Sequence, residues 1–444
     1  KLELEKARPC RGDLAHFLGV SPKEGHTSCP ICGNRVETLF PLRGKATEDP
    51  DEQQACAQCR DLYRAGSRLS EARYICSCSD SERFDFSILG VKLAFRSSPE
   101  EIPQGAKRIF TLRNPHESLR DEDGRFFPMP WAGYSFEDEI ETLLEEGCVG
   151  AKRLAVLRMD VDNLGLVFVR GLLKKDKEDS NQKLYSLSRL SSLSRGMNHF
   201  FKVVIPLLAE RPPQVQREFP RLLLSWPQGG DQRRRLVLVY SGGDDLFAIG
   251  AWNEVAEFAL DVFKAFASYT GENPRLSLSG GLTLHSETTP IYHSAALAAR
   301  AEEAAKKFSF EGQSKNAFAL FYNEGEKGST VFNVTRELPE VTRWFKKMAR
   351  RKDGRDEVVS QEAPRLDIAF DRSFLRLILK LEDKARKHGP LWKASAAYAA
   401  ARENPEDPAW PLLKELVEGE STAIRSLRAA AVWIDLLSRK RKEE

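Results

Sequence analysis

The sequence predicts an α+β chain of several domains, centred on a ferredoxin-like βαββαβ unit. Three observations predict it. First, two apolar runs, Leu236-Val237-Leu238-Val239 and Leu246-Phe247-Ala248-Ile249, flank the turn Tyr240-Ser241-Gly242-Gly243-Asp244-Asp245. They read as a β-hairpin with a glycine turn. Second, residues 154–159 are another buried-strand pattern, running into Asp160-Val161-Asp162-Asn163-Leu164-Gly165. Third, helix-period patterns follow at 187–209, 253–269 and 290–308, with further strand patterns at 276–284 and 317–322.

The order of these elements places the chemistry. The first six spell βαββαβ, and right-handed crossovers give four strands in the spatial order 4-1-3-2. The end of the first strand then lies beside the start of the third, so Asp160 lands next to Asp244 and Asp245. Gly and Asp are ordinary turn residues, and a solvated hairpin tip is the bland reading of the turn alone. Adjacent carboxylates repel, however, and three of them at one sheet edge are what a site for two divalent cations needs.

Each helix has its own signals. Residues 187–209 begin with Ser188-Arg189, Ser191-Ser192 and Ser194-Arg195; serine is a middling helix former, so this row is either capping and surface or a hydroxyl face toward a nucleotide. Asn253 reads as the cap of the next helix. Val255, Phe258, Ala259, Val262, Phe263 and Phe266 form its core stripe, and Gly271 fits its stop. Thr289-Pro290 reads as cap then proline at the first helical position. That helix ends in Lys306-Lys307, and Lys315-Asn316 opens the next strand. Lysines in a last turn also complement the helix dipole.

Ahead of this unit lie Cys29-Pro30-Ile31-Cys32 and Cys56-Ala57-Gln58-Cys59, two CxxC knuckles among eight cysteines. Cys29, Cys32, Cys56 and Cys59 supply four thiolates, enough to close a tetrahedral structural Zn2+ site of zinc-ribbon type. Four cysteines leave no open position for catalysis. Cys76 and Cys78 form a competing CxC; with Cys10 and Cys148 they read as ordinary thiols. Paired CxxC motifs without a secretory signal suit a reducing, cytoplasmic setting.

Residues 84–112 are β-like, and Ser135 reads as the cap of a helix to about residue 146. Past 324 the pattern is amphipathic helices broken by Gly and Pro, a separate helical bundle. The expected divisions are therefore a zinc-binding module at 1–82, a connecting module at 83–150, the βαββαβ domain at 151–330 and the bundle at 331–444.

The chain has 444 residues with 41% hydrophobic and 30% charged, enough for several cores. No apolar run approaches the ~18 residues of a membrane span. A net charge of +3 does not by itself argue for nucleic acid. The clusters Arg233-Arg234-Arg235, Lys346-Lys347 with Arg350-Arg351-Lys352, and Arg439-Lys440-Arg441-Lys442 read as solvated faces. The opening at Lys1, in mid-pattern, reads as a piece of a longer chain.

Taken together, Asp160-Val161-Asp162-Asn163-Leu164-Gly165, Ser188-Arg189, Ser241-Gly242-Gly243-Asp244-Asp245 and Lys315-Asn316 resemble the second palm domain of the large subunit of type III CRISPR effector complexes. The four-cysteine module and the helical tail are similar to the Csm-type (III-A) version. The family's HD nuclease domain and most or all of its first palm have no counterpart in these residues.

The resemblance implies synthesis of cyclic oligoadenylates from ATP, switched on by target RNA, with Mg2+ or Mn2+ held by Asp160, Asp244 and Asp245 and the Val161 carbonyl as a further ligand. It implies nucleotide contacts from Ser241, Gly242, Gly243, Asn163, Ser188 and Ser191, and phosphate contacts from Lys306 and Lys315. It implies partners: the other subunits of the complex, guide RNA and target RNA. Two other functions fit parts of the pattern. One is a non-catalytic scaffold that docks RNA and subunits; three crowded acids argue against it. The other is a diguanylate-type cyclase, but Leu246-Phe247 follows Asp245 where that turn needs a different pattern.

Overall fold

The computed structural model describes residues 27–42, 54–78, 84–88, 91–112, 126–129, 133–136, 139–171, 186–210, 233–326, 330–348, 370, 372–404, 406–419 and 423–439. The chain divides into two compact units, 1–130 and 131–444.

In the first unit, Cys56 stands at the N-cap of helix α1 (Ala57–Glu71). Two short antiparallel ladders, Thr27–Ser28 with Arg35–Val36 and Phe40–Pro41 with Gln54–Ala55, lead into the two knuckles, the second of which runs into α1. A five-stranded sheet follows, built from β1 (Tyr74–Cys78), β2 (Phe86–Ile88), β3 (Val91–Arg96), β4 (Arg108–Thr111) and β5 (Phe126–Pro128) in the order β2-β3-β1-β4-β5. Because β1 pairs with β3 and β4, the expected boundary at 82/83 falls inside one sheet. Cys76 and Cys78 are buried in β1, as ordinary core thiols. Cys10 lies outside the described residues.

The second unit is a seven-stranded sheet with helices on it. Its elements begin with β6 (Tyr134–Ser135), α2 (Ile140–Gly147), β7 (Leu154–Val161), α3 (Leu164–Arg170) and α4 (Leu187–His199). A π-helical turn (Phe200–Val204) and α5 (Ile205–Glu210) complete that helix. Then come β8 (Leu236–Gly242), β9 (Asp245–Ala251), α6 (Trp252–Tyr269), β10 (Leu278–His285), α7 (Ile291–Lys307), β11 (Ala317–Ala319) and β12 (Val331–Asn333). The helical tail is α8 (Leu338–Met348), α9 (Arg372–His388), α10 (Trp392–Arg402), α11 (Ala409–Glu418) and α12 (Ala423–Ser438).

The strand order is β6-β8-β9-β7-β10-β11-β12. The four central strands therefore lie in the order expected from the βαββαβ pattern, with β7 between β9 and β10. One face of β7 (Ala155, Leu157, Met159, Val161) shares a core with the α6 stripe, Phe200 and Phe201. That same core continues into Trp344, Ile378, Leu413 and Trp433 of the tail, so the helices after 331 are not a separate core. The other face, with Val156 and Ile249, is covered by α7 through Ala298. Small residues let α7 sit close: a Cβ on Gly281 would lie against the Ala301 Cβ and 2.6 Å from the Glu302 nitrogen. Among the described residues no helix is long and apolar enough to cross a membrane.

Several local expectations are corrected. Asn253 lies inside the first turn of α6, capped by Ala251; its buried amide donates to Gly147 O (3.1 Å) and accepts from Val149 N (3.1 Å). Pro290 is the N-cap of α7 rather than its first residue. Ser135 pairs in β6, and α2 starts at Ile140. Arg234 is no solvated cation. It is 0% exposed, 2.5 Å from Asp261 and 3.6 Å from Glu254, because β8 begins under α6. Residues 350–352 and 440–442 lie outside the described residues. So does the polar loop at 174–180.

Candidate active site

The site is built by strand register. Asp160 pairs with Asp245 across β7 and β9, and Asp245 pairs with Gly242 across the β8–β9 hairpin. Directly opposed residues project to one face, so Asp160 and Asp245 stand side by side. Gly243, at φ +69°, makes the tight turn that aims Asp244 back at β7. There the Val161 N–H donates to the Asp244 carbonyl at 3.0 Å. Carboxylate oxygens of Asp160, Asp244 and Asp245 all lie within 4.8 Å of one another.

Such crowding has an electrostatic signature. Burial, then a hydrogen bond from and the charge of Asp244, push Asp245 up to about 6. Burial also raises Asp160, with Glu302 and Asp244 adding to the shift. Lys306 opposes that shift, 2.7 Å from Asp160 and 2.7 Å from Glu302, but does not cancel it. Lys306 itself is raised: burial lowers it, and its two carboxylate partners outweigh the burial. Arg158, on the same strand as Asp160, holds the other Glu302 oxygen at 3.2 Å. Proton-favouring carboxylates in a cluster are a fit for divalent cations, which would replace the protons.

The remaining sequence candidates divide. Lys315 reaches Asn163 Oδ1 at 2.7 Å, and both residues adopt left-handed backbone, at φ 73° and 57°. Ser241 is buried, and its hydroxyl donates to the Phe201 carbonyl at 2.6 Å, so it ties the hairpin to the π-helical turn instead of facing a ligand. Ser188 and Ser191 are exposed on α4.

Sequence reasoning missed Glu302, whose signal was its position one helical turn before Lys306. It also passed over Asp162. That side chain is 1% exposed and accepts from Ser277 Oγ (2.7 Å), Ser279 Oγ (3.0 Å) and Asn316 N (3.0 Å). It fastens the start of β10 and the Lys315-Asn316 turn to β7.

In the first unit, thiol sulfurs of Cys29, Cys32, Cys56 and Cys59 lie within 4.8 Å of one another. Backbone N–H groups of Cys32 and Cys56 lower Cys29 to about 6, while burial and the neighbouring thiols push Cys59 up to about 12. Four sulfurs at this spacing fit a soft tetrahedral metal.

Residues 153–319 match the family described as Cas10/Cmr2, second palm domain. The chain carries a Cas10/Cmr2 second palm domain. It is homologous to Cas10/Csm1 single-strand-specific deoxyribonucleases of subtype III-A. The Thermococcus onnurineus (strain NA1) protein is 28% identical over 437 residues, which is 95% of this chain and 49% of that one. The Mycobacterium tuberculosis (strain ATCC 25618 / H37Rv) protein is 29% identical over 314 residues, 68% of this chain and 34% of that one. The crystal structure of Csm1 in T. onnurineus shares the fold, with a TM-score of 0.60 at 24% identity over 84% of this chain and 50% of that one. The chain thus spans about a third and about a half of the length of these two relatives.

Proposed function

We propose that this Cas10 palm joins ATP molecules into cyclic oligoadenylates, as part of a type III-A CRISPR effector complex activated by target RNA. The observation that carries the proposal is the meeting of Asp160, Asp244 and Asp245 from two separate stretches of chain. Solved Csm1–Csm4 cassettes in complex with one ATP, with pppApA and with cA3 support the choice of substrate and product. In this reading the domain is a ferredoxin-like palm, and its partners are a Csm4-like subunit, guide RNA and target RNA.

In the reaction, a ribose 3′-oxygen of one nucleotide forms a bond to the α-phosphorus of another. The Pα–O–Pβ bond breaks, pyrophosphate leaves and the hydroxyl proton goes to solvent. Mg2+ or Mn2+, when bound, lowers the hydroxyl pKa and neutralises charge on the triphosphate. The chain's own residues do the rest. Asp160, Asp244 and Asp245, once ionised, would hold the cations. The turn at Gly242-Gly243 lets backbone approach the nucleotide, since no Cβ intervenes. Lys306 balances Asp160 and Glu302, and Lys315 stands beside Asn163. A Zn2+ held by Cys29, Cys32, Cys56 and Cys59 would be structural.

The test is reconstitution with the complex, guide and target RNA, ATP and Mg2+, reading cyclic adenylates and pyrophosphate. Asp244→Ala with Asp245→Ala should abolish both. An unchanged yield would overturn the site, and ATP binding without turnover would favour a scaffold.

A further inference from the structure

The β8 edge of the site carries a cation that the acidic cluster does not use. Gly242 is the cross-strand partner of Asp245, so a Cβ at 242 would project onto the face where the carboxylates stand. That Cβ would meet Lys202 Cε at 3.4 Å and the Tyr240 hydroxyl at 3.8 Å. The end of Lys202 therefore lies over Gly242.

Its placement is built. Lys202 sits in the π-helical turn Phe200–Val204, where one extra residue per turn changes which side chains face inward. Phe200 and Phe201 are fully buried, and the Ser241 hydroxyl bonds the Phe201 carbonyl, which locks this turn to the hairpin next to Gly242. The Tyr240 hydroxyl donates to the Gly242 carbonyl at 3.0 Å and closes the same corner. β6 pairs only with Leu238 and Val237, so it does not reach Gly242. Among the described residues the Lys202 ammonium makes no ion pair or hydrogen bond, whereas Lys306 is held by Asp160 and Glu302 and Lys315 by Asn163.

We propose that Lys202 is a phosphate-binding residue of the nucleotide site, its ammonium taking an anionic oxygen of a polyphosphate lying across Gly242. This rests on the nucleotide-joining reading above. A lysine acts on phosphate as a mobile point charge, which suits a side chain approaching from the rim. With Lys306 on the α7 side, the acids are then bracketed by two cations of different use: one balances a carboxylate, the other holds substrate.

The experiment compares Lys202→Met and Lys202→Arg with the unaltered chain, titrating ATP with Mg2+ and, separately, adenosine, and recording melting midpoints. Loss of a charge-assisted contact predicts ATP binding weaker by about tenfold or more, with adenosine binding unchanged. Lys202→Arg should recover most of the affinity, and the midpoint should hold. ATP affinity within about twofold of the unaltered chain would overturn the proposal. Equal losses for ATP and adenosine with a lowered midpoint would also overturn it, making Lys202 a packing residue. Asp244→Ala with Asp245→Ala separates the two readings. If that variant loses Mg2+-dependent ATP binding while Lys202→Met keeps it, only the lysine assignment falls. If neither the unaltered chain nor its reconstituted complex binds ATP, both fall.

Discussion

Gly281 offers a test of how tightly the site depends on helix packing. It lies in β10 under α7, and a methyl group there would come within 2.6 Å of the Ala301 carbonyl carbon and the Glu302 nitrogen. These are backbone atoms, so no side-chain rotation relieves the clash. Ordinary contact begins near 3.4 Å, and the helix must retreat by about 1 Å. Overpacking of this kind costs about 1–3 kcal/mol. Glu302 and Lys306 ride on the same helix, and the Lys306–Asp160 contact is 2.7 Å, so the retreat opens it.

Misplacing a positioned group by about 1 Å costs on the order of 100-fold in rate. Gly281→Ala should therefore lower the urea midpoint and cut cyclic adenylate synthesis by about two orders of magnitude, more than the lost stability explains. Urea titration and product yield in the reconstituted complex read the two effects. Gly66→Ala is the control: it sits in α1 with nothing within 4 Å, and should stabilise its unit by about 0.5–1 kcal/mol. A Gly281→Ala protein with an unaltered midpoint and yield would refute the packing argument.

Three further outcomes follow from the site. Asp245 is raised to about 6, mainly by burial, so its proton stabilises the fold at low pH and that contribution is lost as pH rises through 6. Cation binding needs the ionised form and runs oppositely: the Mg2+-induced rise in melting midpoint should be larger at pH above about 7 than below about 5. Equal rises at both would contradict the assignment. Asp162→Ala leaves two hydroxyls and the Asn316 N–H without their acceptor, and should cost at least about 1–3 kcal/mol in chemical denaturation. Cys56→Ser removes one of four converging thiols; metal analysis should then find bound zinc reduced, and the melting transition of the first unit should fall. Unchanged zinc content would mean that these sulfurs do not hold it.

Much of this protein was legible in the sequence, because strand alternation, helix period and turn glycines are local signals. From them came the βαββαβ order, and from that order the neighbourhood of Asp160, Asp244 and Asp245. The two CxxC pairs were legible for the same reason, since a knuckle is four residues long. What was not legible had no local signal. Arg233-Arg234-Arg235 reads as a charged surface, yet only the packing of α6 over β8 decides that Arg234 is buried among acids. Ser241 belongs to the motif, but its hydroxyl is turned to Phe201 by contact with a helix 40 residues away. Glu302 and Lys202 enter the site from helices laid across opposite sides of the hairpin and its neighbour strand. Periodicity determines which elements form and which of their faces is apolar. Which polar side chains meet where those faces close is set by distances between segments remote in the chain, and only the tertiary structure decides those.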